Sequence, residues 1–336
     1  MANFESIKLE KGMYGQGGQT FTHVLESLDP SEQYTGTPLE RLDAYQRQLK
    51  RFDIRVKGAG SDSVGKFFQT FESAVLFPEY IARSVRQGME ERNILPQLTA
   101  TVTKIEGKDH RTIASLPSTE DKELKRVEEG AHIPQTTIRS QDNLVRLHKR
   151  GRVLVASYEA VKYQKLDLFS VTLRQIGAHI MQTHLRDAID VIVDGDGNSN
   201  PAPGQTVADA NFNYGALLDF WSHFAPFEMN TLLAGRDMTL KLLNLPEFQN
   251  PLTGLNFQGT GKLDSPLGAS LLRADALSGK VIGLDRQYAL EMVQSGELTV
   301  EYDKLIDRQL ERAAIVSTAG FAKIFTDAAR VLNVNA

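Results

Sequence analysis

The stretch that decides the fold is Asp167–Asn198, DLFSVTLRQIGAHIMQTHLRDAIDVIVDGDGN. Phe169, Leu173, Ile176 and Ile180 recur at three- and four-residue spacing, and Met181, Leu185, Ala188 and Ile192 continue the stripe with a slight rotation. That periodicity predicts one helix over 167–193 with a single apolar face. Neither proline nor a glycine pair interrupts it, so it runs for about 40 Å at the standard rise. Asp194-Gly195-Asp196-Gly197-Asn198 ends it abruptly, and Pro201 and Pro203 block continuation.

Upstream, residues 106–157 are too polar to build a core. The first limb, Thr119–Glu129, is charge-dense, and the second, Arg139–Arg152, carries Arg139, Arg146, Lys149, Arg150 and Arg152 against only Asp142. Alternation in Asn143–His148 and Arg152–Ser157 predicts strands, so the segment reads as a two-stranded excursion from the body. Before it, Leu98–Ile105 alternates as a strand, and Phe67–Glu91 is helical with an interruption at Pro78. Residues 1–38, with Gly12, Gly15, Gly17, Gly18, Pro30 and Pro38, read as an extended arm. Leu42, Tyr45, Leu49, Phe52 and Val56 then form a helical stripe, read as a helix docked on its own domain against the alternative of a short coiled-coil or partner-binding helix.

Downstream, short elements alternate. Tyr214–Phe224, Asp237–Leu245 and Gln287–Gln294 read as helices. Thr231–Ala234, Lys280–Leu284, Leu298–Tyr302 and Arg312–Ser317 read as strands, and Gln249–Ala269 as a loop. This pattern predicts a mixed α+β body without internal repeats.

Composition narrows the function classes. The 336 residues, 41% hydrophobic and 24% charged, suffice for two packed units of a soluble protein. A net charge of −4 argues against a protein that wraps nucleic acid with a strongly basic face. The absence of cysteine excludes disulfides and thiolate metal sites. Residues 1–11 are charged where a signal peptide needs an apolar run, and no apolar stretch reaches membrane-spanning length.

Three motifs invite chemistry and fail on detail. Gly60-Ser61-Asp62-Ser63-Val64-Gly65-Lys66, after an expected strand at Phe52–Val56, has a P-loop frame, but Phe67 stands where Ser or Thr must hold magnesium. Asp194, Asp196, Asn198 and Asn200 have calcium-loop spacing, but Ser199 and Gln205 replace the required glycine and closing glutamate. His179 and His184, five apart on a helix, point to different faces. No catalytic, cofactor or metal site is expected.

The order of pieces carries a resemblance. Glu129-Gly130-Ala131-His132-Ile133-Pro134 is followed by Val145-Arg146-Leu147-His148-Lys149 and Val153-Leu154-Val155-Ala156-Ser157-Tyr158-Glu159. Then come the long helix, its acidic glycine turn, Asn230-Thr231-Leu232-Leu233, Pro266-Leu267-Gly268 and Gly320-Phe321-Ala322-Lys323-Ile324. Together they resemble the major capsid proteins of tailed bacteriophages, over roughly residues 67–330. The resemblance implies an α+β Hong Kong 97-like fold. Its parts fall at 1–66 (N-terminal arm), 67–105 (start of the peripheral domain), 106–157 (extended loop), 158–204 (peripheral domain with the spine helix), 205–296 (axial domain) and 297–336 (return segment).

It further implies a non-enzymatic virion subunit, assembled in the host cytoplasm through pentamers and hexamers into a procapsid and then a mature head around double-stranded DNA. The DNA is contacted without sequence specificity. Expected partners are further copies of itself, a separate scaffolding protein, a portal and a decoration protein. Some relatives cross-link a loop lysine to a C-terminal-region asparagine. Lys108, Lys122 and Lys125, and Asn333 and Asn335, lack a context that marks a dry site, so no cross-link is expected. The competing readings are an encapsulin nanocompartment on the same fold and a P-loop nucleotide-binding protein. Within a shell, Arg139, Arg146, Lys149, Arg150 and Arg152 are expected to meet acidic surface on a neighbouring subunit, against the alternative of a solvated or DNA-facing strand.

Overall fold

The computed structural model describes residues 4–14, 19–114, 126–129, 139–249 and 267–335. Its helices are α1 (Phe21–Leu28), α2 (Ala44–Arg51), α3 (Phe71–Val75), α4 (Phe77–Glu91), α5 (Tyr158–Tyr163), α6 (Leu166–Asp194), α7 (Tyr214–Ser222), α8 (Arg236–Leu243) and α9 (Pro246–Gln249). The strands are β1 (Thr99–Ile105), β2 (Ile113–Ala114), β3 (Arg139–Ser140), β4 (Leu147–Ser157), β5 (Gly204–Ala208) and β6 (Thr231–Ala234). They continue with β7 (Ser270–Arg273), β8 (Lys280–Leu284), β9 (Leu290–Ser295), β10 (Thr299–Leu305), β11 (Leu310–Lys323) and β12 (Ala329–Asn335). Unit 1 comprises Met1–Asn93, Lys149–Thr183 and Ser295–Thr318. Unit 2 comprises Ile94–His148, His184–Gln294 and Ala319–Ala336.

The long helix expected from Asp167 is α6, within one residue at each end. Of the expected stripe, Phe169, Leu173, Ile176, Ile180 and Met181 are buried in unit 1 and Ala188 and Ile192 in unit 2, while Leu185 is half-buried and Ile189, outside the stripe, is buried too. In unit 1, α4 crosses α6 backbone to backbone. A Cβ on Gly88 would lie 2.0 Å from the Arg174 carbonyl oxygen, and one on Gly177 would lie 2.0 Å from that of Val85. Glycine inside a helix costs about 1 kcal/mol relative to alanine. Here it permits a crossing that any side chain would forbid. Pro78 sits in the first turn of α4, where its missing N–H has no intrahelical acceptor to satisfy.

The expected N-terminal arm over residues 1–66 requires a correction in its first part: the described residues of 1–38 are not an extended arm, whereas α2 falls where a docked helix was expected. α1 and α2 pack together in unit 1, and Phe21, Leu25, Tyr45, Leu49 and Val64 join its core. A fully buried ion pair fastens them: Arg47 Nε donates to Asp29 Oδ2 at 2.6 Å, and Arg47 Nη2 to the Asp29 carbonyl at 2.6 Å. Both charges lie inside, tolerated because the guanidinium is paired and hydrogen-bonded.

β11 pairs antiparallel with β10 through unit 1, and its last five residues, Ala319–Lys323, pair with β9 in unit 2. β4 also pairs with β11, and β1 with β9. At Gly151 a side chain would lie 2.6 Å from the Ile315 carbonyl oxygen, so only glycine lets β4 come this close. The second sheet, in unit 2, has the order β5-β12-β8-β6-β7, with parallel pairs at its two ends. Leu217 and Phe220 of α7 and Met238 and Leu242 of α8 join its core.

The helix expected at Gln287–Gln294 is instead a turn followed by β9. Leu290 and Val293 mimic a helical spacing, but Met292 and Val293 fall in register with Phe321 and Gly320 across the ladder with β11. The pairing partner lies about thirty residues away, beyond what local periodicity reports. β5, β7 and β12 had no counterpart in the sequence reading. The expected loop at Gln249–Ala269 falls largely outside the described residues.

Candidate functional site

The base of the excursion is built in unit 2. β2 and β3 pair over two residues, Ile113 with Ser140 and Ala114 with Arg139. Two further backbone bonds close the base: Gln141 N to the Thr112 carbonyl and Val145 N to the His110 carbonyl, both 2.9 Å. The loop pieces at Lys122, Lys125 and Gly130–Pro134 lie outside the described residues.

Glu291 of β9 anchors this base. Its buried carboxylate accepts hydrogen bonds from the Thr103 and Thr112 hydroxyls, and His110 Nε2 lies 3.1 Å from Oε1. Gln141 forms a second anchor. Its Nε2 donates to the Lys323 carbonyl at 2.9 Å, and its Oε1 accepts from Asn198 Nδ2 at 2.8 Å. Asn143 Nδ2 donates to the Gly197 carbonyl at 2.8 Å. Burial makes the Glu291 bond from Thr112 and the Gln141 bond to Lys323 worth keeping, since an unpaired partner there would bear its full desolvation cost. Sequence reasoning missed Glu291, Gln141 and Lys323, because nothing local distinguishes them from surface residues.

The turn after α6 is the hub of these contacts. Gly195 and Gly197 adopt φ of +90° and +97°, the left-handed region where glycine is unstrained. Asp196 Oδ1 accepts from Asn198 N at 3.1 Å, Asp196 Oδ2 accepts from Lys323 N at 3.0 Å, and Asn200 Oδ1 accepts from Asp196 N at 3.1 Å. Burial acts to raise the Asp196 pKa, but the hydrogen bonds from Lys323, Asn198 and Asn200 prevail and hold it below the usual carboxylate value. These atoms organise a turn, as the helix-termination reading expects. Among the described residues no His, Asp or Glu cluster has metal-holding geometry.

The P-loop frame fares worse. No strand covers Phe52–Val56, and Val64–Phe68 is a short 3-10 helix. Its amides are already engaged: Val64 N donates to the Gln164 carbonyl at 2.9 Å and Lys66 N to that of Ser63 at 3.0 Å. Lys66 Nζ lies 3.7 Å from Asp53 Oδ2. A phosphate cradle needs those amides pointing outward together.

The five basic residues divide between the two units. Arg139 is in β3 and Arg146 precedes β4, both in unit 2, whereas Lys149, Arg150 and Arg152 follow along β4 in unit 1. Arg146 and His148 line a cavity of about 180 Å³ with Asp187, Asp190, Asp194 and Asp196 of their own chain. His148 Nδ1 is 3.5 Å from Asp187 Oδ2. Lys149 and Arg152 are exposed, and Arg150 is half-buried.

The sequence matches the phage capsid protein family over residues 141–322, from the loop base through α6 to the end of β11. This chain belongs to the phage capsid protein family. Solved structures agree on the fold. The capsid of a native GTA particle superposes with a TM-score of 0.54 at 13% identity, covering 72% of this chain and 90% of that one. A virus-like particle from Pyrococcus furiosus gives 0.50 at 14%, covering 76% and 98%. The mature capsid of bacteriophage PhiM1 gives 0.50 at 10%, covering 72% and 87%. No curated protein matches the sequence. The capsid protein therefore has the α+β Hong Kong 97-like fold, with α6 as its spine helix. Family and fold indicate a structural virion component, and no helix among the described residues is long and apolar enough to cross a membrane.

Proposed function

We propose that this capsid protein self-assembles through pentamers and hexamers into an icosahedral shell, first a procapsid and then a mature head, around double-stranded DNA. The family match across loop base, spine helix and β11 carries this reading. Assembly takes place in the host cytoplasm with a separate scaffolding protein and a portal, and a decoration protein binds the finished shell. DNA is contacted without sequence specificity. Within the shell, Lys149, Arg150 and Arg152 on β4, with Arg139 and Arg146 at the loop base, meet acidic surface of a neighbouring subunit. The second reading, an encapsulin shell around protein cargo, shares the fold, and the likeness to a virus-like particle from Pyrococcus furiosus fits either shell. Electron microscopy of the expressed protein is the test. Closed shells support assembly, their contents separate DNA from cargo, and small monodisperse oligomers refute both readings.

A further inference from the structure

Phe71 is 99% exposed, well beyond the next large apolar side chain among the described residues, Tyr163 at 73%. Its neighbours hold it in place. Thr70 caps α3 by accepting from Ser73 N at 3.0 Å, Ser73 Oγ donates to the Phe67 carbonyl at 2.7 Å, and Arg51 Nη2 reaches Glu72 Oε2 at 2.9 Å. An aromatic ring presented to water on a fixed backbone leaves only its own side-chain rotamers to be ordered on docking. Aromatic residues in such positions are the usual anchors of protein interfaces.

Unit 1 also carries a groove of about 310 Å³ between α2 and α4. Tyr45, Leu49, Val56 and Tyr80 line its apolar part, and Lys57 and Arg86 stand among its charged lining residues. It has room for a benzyl side chain, and its lining sets Lys57, Arg83 and Arg86 against Glu90, a basic excess that complements Glu72, the residue after Phe71, even with Arg86 bridged to Glu297 and Glu72 to Arg51.

We infer that Phe71 of one copy seats in the α2–α4 groove of a second copy, with Glu72 set against Lys57. Knob and groove are different patches of the same chain, so the contact is heterologous. Repeated around an axis, such a contact closes a ring. The inference deepens the self-assembly proposed above and rests on it.

The test uses the full chain with the photoreactive p-benzoylphenylalanine at position 71. Irradiated assemblies should give covalent dimers whose cross-linked peptides come from Tyr45–Lys57 or Tyr80–Glu90. Phe71→Ala should keep the wild-type circular dichroism spectrum and raise the protein concentration needed for assembly on the order of tenfold or more. Gln87→Trp, placed on the exposed side of the groove, should raise it similarly, and combining the two should add little. Adducts elsewhere on the second copy or on DNA, or Phe71→Ala assembling as the wild type does, would overturn the Phe71 contact while leaving self-assembly intact. Wild-type protein that forms no shells at all would overturn both.

Discussion

Replacing Lys323 with methionine should stabilise the subunit at neutral pH. The Lys323 side chain is 1% exposed, and its Nζ has no hydrogen-bond partner among the described residues. Burial pushes its amine down from 10.5 to about 8, against the opposing pull of Asp196 and Asp327. The lowering of roughly 2.5 units, at about 1.36 kcal/mol each, corresponds to about 3 kcal/mol held against the folded state while the amine is charged. The sign follows from proton binding. Between about pH 8 and 10.5 the unfolded chain binds the proton and the folded chain releases it, so wild-type stability rises with pH across that window. Below it the penalty is present in full. Methionine keeps the shape and removes the charge. Trp221, the only tryptophan, belongs to unit 2 with Lys323, so its fluorescence in urea reports the relevant unfolding. Lys323→Met should gain about 3 kcal/mol at pH 7, with the difference from wild type shrinking towards pH 10.5. A variant less stable than wild type at pH 7, or a difference independent of pH, would refute the reasoning.

Gly177→Ala should separate α4 from α6 and cost about 3 kcal/mol, seen as a lowered melting temperature; an unchanged melt would show that the crossing tolerates a methyl group. Exchanging Lys149 and Arg152 together for glutamate should leave the free subunit folded and shift assembly to higher concentration, each contact being worth about 0.2–1 kcal/mol. Raised salt should weaken wild-type assembly and partly relieve the variant, as light scattering would show. Identical thresholds and salt responses would remove β4 from the interface. Replacing residues 115–138 with a short glycine linker spares His110, Thr112 and Gln141, so circular dichroism and melting should stay near wild type while stable shells are lost. A large loss of secondary structure would place that segment inside a folded unit.

What could be read directly was whatever repeats over a few residues. The spine helix, β6 and β8 were legible because their apolar spacing is local and uninterrupted. α1 showed the same signal in Phe21, Val24, Leu25 and Leu28, but the surrounding glycines and prolines concealed it. The resemblance added the family and its fold, which no single stretch carries.

The sequence alone therefore determined the spine helix, its glycine-ended turn, the mixed α+β class and the absence of a P-loop magnesium ligand. Tertiary structure alone decided that β9 is a strand, that β12 lies between β5 and β8, and that Arg47 is buried on Asp29. It also decided that Glu291 and Gln141 fasten the loop base. The reason is range. Helical periodicity is set by neighbours within one or two turns, whereas ladder pairing and the burial of charge depend on partners that only folding brings together.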